Sequence, residues 1–326
     1  MLDPLVSLAS SSILELTSNR SVVENLPGCR PGTLVELFDK EGHRCRGLVE
    51  TVWGRQVEIA LIDEPTEISR SRGMIRVLSQ PASRFLSLEV IGRALDPLGE
   101  PLDGLPKPIS RLEALPDDSR FDLDRVPLKK QLLLTEDDID SGFPLMVGST
   151  TLLLGADRTS LWNTSRRILS SVMNANPSTC VIVARGELNI QEKDETLSLY
   201  KDTGQLVRMV LLLGELGDPY SKLGLFNEQA LALGEKLAFQ EGQEVLLLLD
   251  PGVPSNHLLT PMEAFLNKAG LSARKEEASL TVLWLAAQMP GDPSIWRERA
   301  DVLLFFEEKD GSLHLVPDRC YSRFTG

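Results

Sequence analysis

The chain has 326 residues, of which 42% are hydrophobic and 25% charged, and its formal net charge at pH 7 is −13. This is the composition of a soluble globular protein that is long enough for two domains. The acidic charge disfavours nucleic acid and anionic lipid as partners, and an aromatic content of 5% leaves few platforms for base stacking. We therefore expect no nucleic-acid binding.

The cysteines and histidines give no sign of a disulfide framework or a metal site. There is no C-x-x-C pair, and no histidine lies at metal-ligand spacing from a cysteine. The residues concerned are Cys29, Cys45, Cys180, Cys320, His43, His257 and His314. The start of the chain lacks the basic residues of a signal or transit peptide, and the apolar runs are too short to cross a membrane. We expect a cytoplasmic chain that reaches a membrane complex only through a protein partner.

The first part of the chain changes character near residue 31. Residues 1–27 are polar and serine-rich and are predicted to form an N-terminal arm or a loose helix. Beyond them the apolar residues alternate with a period of two, which is typical of strands bounded by turn residues. The predicted strands are 33–38, 46–52, 56–62 and 73–78. Short strands at this spacing indicate a small β-barrel domain, which we assign to residues 28–82.

The second part alternates strands and helices, after a connector rich in proline and charge at about residues 96–147. The predicted strands are 151–154, 179–184, 207–213, 244–249, 280–286 and 301–306. The predicted helices are 158–174, 190–203 and 225–241. Near-continuous aliphatic strands separated by amphipathic helices are typical of a buried parallel sheet with helices on both faces. The predicted fold class is α/β, with a small N-terminal β-barrel followed by a doubly wound parallel sheet.

A strand, a glycine turn and a helix follow one another around residue 155, in the frame of a phosphate-binding loop. Such a loop reads G-x-x-x-x-G-K-[ST]. Counting from Gly155, the second glycine falls on Ser160, the lysine on Leu161 and the Ser/Thr on Trp162. The lysine that reaches the terminal phosphates and the hydroxyl that holds magnesium are both absent. ATP hydrolysis by the ordinary phosphate-loop route is therefore not expected.

The start of the helix after this turn could still attract an anion through its unpaired N–H groups and positive dipole end. The candidate nucleotide-binding segment is this degenerate loop, which consists of Gly155, Asp157, Arg158, Thr159 and Ser160. Weak or structural binding of ATP or ADP stays open, and no cofactor or metal is assigned. The alternative is that the carboxylate of Asp157 caps the helix and takes the place of an anion.

Residues 91–104 read Ile-Gly-Arg-Ala-Leu-Asp-Pro-Leu-Gly-Glu-Pro-Leu-Asp-Gly. This segment closely resembles the connector between the barrel and the nucleotide domain in the alpha and beta subunits of rotary F-type ATP synthases. Other stretches resemble the approach to the phosphate loop, the Walker B helix and strand, and the sensor strand with its loop; they are 142–148, 230–250 and 279–294. The resemblance covers about residues 28–326 and implies a RecA-like nucleotide-binding-type domain, degenerate in its loop, at residues 83–326. The family's C-terminal helical domain is missing.

Three residues take candidate roles from this resemblance. Asp250 ends an apolar strand where the Walker B aspartate coordinates magnesium, although an acid there is also common as a helix cap or hydrogen-bond acceptor. Glu187 lies where catalytic beta subunits place the glutamate that polarises water, but the basic residue that should follow is Leu188, and a surface or capping glutamate is the alternative. Arg323 resembles the alpha-subunit arginine finger, which acts in trans on a neighbour's γ-phosphate; the alternative is a solvated arginine.

A family fold combined with a stripped loop predicts a non-catalytic, alpha-subunit-like pseudo-ATPase. It would bind a beta-like catalytic subunit of a proton-transporting ATPase complex, as a truncated subunit, an assembly factor or a regulator. One alternative is a nucleotide hydrolase with an unusual site built on Glu187, Asp250 and Arg158. Another is a regulator related to the export ATPases of secretion and flagellar systems, although the connector favours ATP synthase.

Overall fold

The computed structural model describes residues 8–9, 12–71, 73–79, 83–85, 88–108, 112–114, 130–132, 143–218, 220–252, 269–271, 278–287, 300–309 and 312–324. The chain divides into two compact units. The first is built mainly from the chain up to Phe85, and the second mainly from Leu86 onward.

The first unit is an antiparallel sheet of seven strands, curved as a half-barrel, with the strand order β1-β7-β4-β5-β6-β3-β2. The strands are β1 (Leu8–Ala9), β2 (Ser12–Leu16), β3 (Arg20–Glu24), β4 (Leu34–Phe38), β5 (Arg44–Trp53), β6 (Gln56–Leu61) and β7 (Met74–Ser79). A separate antiparallel pair, β8 (Ser83–Phe85) and β10 (Leu112–Ala114), also belongs to this unit. The predicted barrel-type domain is confirmed as an antiparallel sheet.

The alternation of apolar residues forms the core of this sheet, because successive side chains of a strand point to opposite faces. Val35 and Leu37 of β4 and Val57 and Ile59 of β6 all face the same buried cluster. Gly47 of β5 lies so close to β6 that a Cβ at this position would collide with Ile59. The absence of a side chain at Gly47 therefore allows the two strands to pair closely.

The predicted arm or loose helix is wrong for residues 12–24, which form β2 and β3. The two strands pair with each other, and β3 also pairs with β6. Ile13 and Val23 are buried in the core of the sheet. The serine-rich composition hid a period-two pattern, because the serines and charged residues occupy mainly the outward positions of the two strands.

The second unit contains a mostly parallel sheet of ten strands. From β17 to β9 the order is β17-β11-β16-β14-β12-β13-β9 with every pair parallel, while β18 and β19 pair with β17 and β15 pairs with β16 in antiparallel fashion. The strands are β9 (Arg93–Leu95), β11 (Thr150–Gly155), β12 (Cys180–Leu188), β13 (Met209–Glu215), β14 (Glu244–Asp250), β15 (Gly270–Leu271), β16 (Ser279–Ala287), β17 (Val302–Lys309), β18 (Ser312–Leu315) and β19 (Tyr321–Ser322).

Three α-helices accompany the sheet in the described residues: α1 (Arg158–Ala175), α2 (Ile190–Asp202) and α3 (Tyr220–Glu235), the last continued by a π-helical turn at Lys236–Gln240. Short 3-10 turns lie at Leu88–Val90, Gln205–Arg208 and Pro317–Arg319. α2 begins with a capping box between Asn189 and Glu192, which satisfies orphan amides at its start.

The helices lie on both faces of the sheet. Val181 and Val183 of β12 join the cluster that holds the apolar side of α1. Ile182, which points the other way, approaches Gly234 of α3, where an added Cβ would lie 3.8 Å from its Cδ1. The predicted RecA-like doubly wound sheet is thereby confirmed, and six of its strands lie close to their predicted places. Part of the connector at 96–147 and the predicted loop at 288–294 lie outside the described residues.

No helix in the described part of the chain is long and apolar enough to cross a membrane.

Candidate functional site

The degenerate loop lies where β11 ends and α1 begins, at the carboxyl end of the parallel strands. Ligands of open α/β sheets bind at this end. Leu161, at the position of the phosphate-loop lysine, is fully buried and turns under the loop, since a Cβ on Gly155 would lie 3.1 Å from its side chain. The lysine position is therefore filled by a core side chain that cannot reach a phosphate.

Asp157 is the N-cap of α1, as the alternative for this residue predicts. Its Oδ2 accepts a hydrogen bond of 2.6 Å from the backbone N–H of Ser160. Hydrogen bonds from the side chain and backbone of Ser160 hold the pKa of the Asp157 carboxyl below its usual value. The helix start thus already carries a carboxylate bound to its own chain, while Thr159 beside it is exposed.

Arg158 connects the loop to the carboxyl ends of two other strands. Its Nε donates to Asp250 Oδ1 at 2.9 Å and its Nη2 to Asp250 Oδ2 at 3.1 Å, a two-bond ion pair. The same guanidinium donates to the carbonyl oxygens of Gly186, at 2.5 Å, and Glu187, at 3.2 Å. Arg158 therefore joins β11, β12 and β14 at the edge where a bound phosphate and metal would be expected.

Arg185, which sequence reasoning did not single out, is the second cation at Asp250. It is 4% exposed, and its Nε donates to Asp250 Oδ2 at 3.2 Å while its Nη1 donates to Thr196 Oγ1 at 2.7 Å. Its guanidinium stacks 3.7 Å from the centre of the Trp162 ring, a favourable cation–π contact. Burial lowers the pKa of Arg185, and the attraction of Asp250 opposes this shift.

These contacts change what Asp250 can do. The residue is 1% exposed, and both of its carboxylate oxygens accept hydrogen bonds from guanidinium groups. A carboxylate held in this way is neutralised by protein cations, and a metal ion would have to displace them first. The one sequence signal for the missed partner is that Arg185 follows an uninterrupted apolar run in β12.

Glu187 has an unusual backbone conformation, with φ at +51°, in a region that residues other than glycine adopt uncommonly. The pairing of β12 with β13 is irregular between Arg185 and Leu188, as at a β-bulge. The Glu187 carboxylate lies over Gly252, where an added Cβ would collide with it. Glu187, Arg158 and Asp250 are thus brought together, as the unusual-site alternative requires.

Arg323 lies at the opposite end of the sheet from the loop. It follows β19, and its backbone N–H bonds to the carbonyl of Asp301, whose own N–H bonds to Thr150 at the start of β11. Five residues of strand, about 17 Å, separate Thr150 from Gly155. Arg323 Nη1 is 3.3 Å from Asp301 Oδ1, and the side chain is 44% exposed. It cannot act on the loop of its own chain.

One group in the described residues has oxygen and nitrogen atoms close enough to hold a metal ion, namely Asp39, Glu41 and His43 in the first unit. Asp39 Oδ1 already accepts from the N–H groups of Glu41 and His43, and its Oδ2 lies 2.8 Å from His43 Nδ1. Hydrogen bonding to Asp39 raises the pKa of His43. The turn is therefore satisfied by its own hydrogen bonds and carries no argument for a metal.

No protein-family model matches the chain. The chain is similar to one of the subunits of the A-type ATP synthase of Nitrosopumilus maritimus (strain SCM1), with 27% identity over 253 residues, which are 73% of this chain and 52% of that relative. The chain thus spans about half the length of this curated relative. The similarity supports a relationship with the rotary ATPase subunits, as the connector at residues 91–104 predicts, but it does not distinguish an F-type from an A-type origin.

Proposed function

We propose that this chain is a non-catalytic, alpha-subunit-like pseudo-ATPase of the rotary ATPase family, which acts by binding a beta-like catalytic subunit. It would serve as a truncated subunit, an assembly factor or a regulator, and would lie at the periphery of a membrane complex through that partner. The observation that carries the proposal is the Arg158 guanidinium, which bonds Asp250 and the carbonyls of Gly186 and Glu187.

The loop supports the non-catalytic part of the proposal. Phosphoryl transfer needs a cation on the β- and γ-phosphates and a hydroxyl on magnesium. Leu161 and Trp162 occupy these two positions and are both buried in the core. Restoring a lysine at position 161 would bury an ammonium group among apolar side chains, which is costly.

Asp250 and Glu187 support it as well. Asp250 would hold magnesium in an active relative of this type, but two arginines occupy its oxygens. Glu187 can polarise a water molecule only if a phosphate is held in line with that water. Without an anchored phosphate its carboxylate has no reaction to assist, and its contact with Gly252 has a structural role.

Arg323 supports the partner part of the proposal. It cannot reach its own loop, and only one exposed ion pair with Asp301 holds its side chain. Exposed ion pairs are weak, about 0–1 kcal/mol, so the guanidinium can leave Asp301 for a stronger anion. A γ-phosphate on a neighbouring subunit is such an anion, and an arginine supplied in trans is the arginine-finger arrangement.

The test is reconstitution with a beta-type subunit, followed by measurement of complex mass and ATP hydrolysis. We expect a stable complex at micromolar concentration, in which Arg323→Ala leaves assembly intact but lowers hydrolysis by roughly a thousandfold, the lower range for an arginine finger. Arg319→Ala is the matched control, because Arg319 is similarly exposed and pairs with Glu307. If no complex forms, with or without nucleotide, the proposal is wrong.

The class of rotary ATPase is a finer part of the proposal. The connector at residues 91–104 resembles F-type subunits, whereas the relative is an A-type subunit. Affinity purification of the tagged chain from its native host, with identification of the co-purifying subunits, separates the two. Recovery with secretion or flagellar export components instead would favour the export-regulator alternative.

A second candidate, a nucleotide hydrolase with an unusual site, is favoured by one observation. Glu187 has a positive φ, and strained residues cluster at functional sites. Turnover of ATP by the purified chain that Glu187→Gln abolishes would support a hydrolase. Turnover that this variant leaves unchanged would come from a contaminant.

A further inference from the structure

A cavity of about 220 Å³ opens between α1 and α2, on the side of the Arg158–Asp250 ion pair that faces the two helices. Its walls come from both helices, and Arg185 of β12 also lines it. The lining residues are Arg158, Thr159, Trp162, Asn163, Arg166, Arg185, Glu192, Glu195, Thr196 and Leu199. Neither the loop chemistry nor the proposed subunit role makes use of this space.

The inner part of the cavity contains more cationic than anionic groups. Arg158 and Arg185 share a single carboxylate, that of Asp250. Arg185 is nearly fully buried, and its Nη2 group donates to none of the described residues. A buried cation is stable only when it is paired and hydrogen-bonded, so these two arginines leave one positive charge incompletely compensated.

Arg166 of α1 adds a third guanidinium to the wall. It is half-buried and forms no hydrogen bond or ion pair with any residue that the structure describes. Tyr200, which is buried nearby, has a hydroxyl group without a hydrogen-bond partner in the described part of the chain. Burial raises the pKa of Tyr200 to about 12, and the positive charges of Arg166 and Arg185 oppose that rise. Both arginines are therefore electrostatically close to this hydroxyl.

The two glutamates of the wall are engaged at the rim. Glu192 Oε2 accepts a hydrogen bond of 3.0 Å from the Asn189 N–H in the capping box, and Glu195 Oε1 accepts one of 2.7 Å from Gln191 Nε2. Glu192 attracts Arg185 electrostatically, but neither glutamate forms a direct ion pair with an arginine of the cavity among the described contacts. Donors thus remain on the inner wall, and the acceptors near the rim are committed to α2 itself.

We propose that this cavity is a binding site for a small oxyanion of the phosphate class. Guanidinium groups present paired N–H donors that match phosphate oxygens, and an anion here would compensate the shared charge of Arg158 and Arg185. The volume is below the range of about 300–1,000 Å³ that holds drug-sized ligands, so the site suits inorganic phosphate or pyrophosphate but not a whole nucleotide. The site is complete within one chain and does not depend on the proposed partner subunit.

Calorimetric titration of the purified chain with inorganic phosphate and pyrophosphate, at constant ionic strength, tests the proposal. We expect saturable binding that Arg166→Gln weakens at least tenfold. Arg167→Gln is the matched control, because it removes the same charge from the exposed face of α1, outside the cavity wall. Asn163→Asp, which adds a negative charge to the wall without removing a buried group, should weaken binding as well.

The outcomes are distinct. Equal weakening in Arg166→Gln and Arg167→Gln would mean general attraction to the helix surface, and absence of binding at 10 mM phosphate, on the order of the weakest affinity a specific site is expected to show, would also overturn the proposal. Binding of ADP that Arg166→Gln weakens equally would identify the phosphate as part of a nucleotide that reaches in from outside. Binding of phosphate alone would identify a free-anion site. Circular dichroism of each variant confirms that it is folded.

Discussion

The two ends of the parallel sheet hold their arginines in different ways. At the carboxyl end, Arg158 and Arg185 are tied to the buried Asp250 and to neighbouring carbonyl or hydroxyl oxygens. At the amino end, the side chain of Arg323 has an exposed pair with Asp301 at 3.3 Å. The first arrangement fixes the chain where a relative would bind nucleotide, whereas the second leaves a cation available to a neighbour. The difference is one of burial, because an ion pair gains strength and loses freedom as water is excluded.

The largest expected effect comes from removing the shared carboxylate. Asp250→Ala leaves two guanidinium groups without an anion inside the protein, and we expect a loss of about 3–5 kcal/mol in the free energy of unfolding. Arg323→Ala removes the exposed pair at the other end and should cost about 0–1 kcal/mol. Chemical denaturation of both variants measures the contrast. Equal losses would show that the two ends do not differ in the way described.

A second comparison sets a buried tryptophan against an exposed one. Trp162 is 7% exposed and stacks on Arg185, so Trp162→Ala should cost about 3–5 kcal/mol through the cavity it leaves. Trp53, in the first unit, is 75% exposed, and Trp53→Ala should change stability by less than about 0.5 kcal/mol. Thermal unfolding of the two variants reports the difference. A small effect at Trp162 would mean that the position could accept the family's hydroxyl after all.

Much of the second unit was predictable, because its strands are apolar runs and its helices begin at clear signals. Asp157 caps α1 and Asn189 caps α2, both residues that favour this position. The loss of the phosphate-loop lysine is also visible directly, since Leu161 takes its place in the motif count. Local pattern was sufficient wherever the structural cause is local.

The contacts of the site were not predictable, because they join residues that are far apart in sequence. Arg185 and Asp250 are separated by 65 residues, and Arg158 and Asp250 by 92. The strands at 12–24 were missed for another reason: their buried positions are few, and tertiary pairing with β6 decides their conformation. Similarly, the positive φ of Glu187 comes from the irregular pairing beside it rather than from its own residue type.

The contact between Glu187 and Gly252 gives a smaller effect. Both Gly252 and Gly217 have positive φ, +94° and +89°, but only at Gly252 would an added Cβ collide with a side chain; at Gly217 nothing lies within 4 Å. Gly217→Ala should therefore cost about 1 kcal/mol through the backbone alone, and Gly252→Ala about 2–3 kcal/mol. Denaturant titration of both isolates the contact. Equal costs would mean that the Glu187 carboxylate is free to move aside.

The smallest effect is at Asp157, the partly exposed member of the carboxyl end, and it depends on pH. Its pKa is lowered in the folded chain by hydrogen bonds from Ser160, so its ionised form stabilises the fold above the unfolded pKa of about 3.9. That stabilisation is lost as the pH falls through the lower folded value. Asp157→Ala should thus cost about 1 kcal/mol at neutral pH, with the gap to the parent chain closing below about pH 4. Asp157→Asn retains a cap without a titrating group, so its offset from Asp157→Ala should stay constant with pH. A gap between Asp157→Ala and the parent that persists undiminished in acid would contradict a charge-dependent cap.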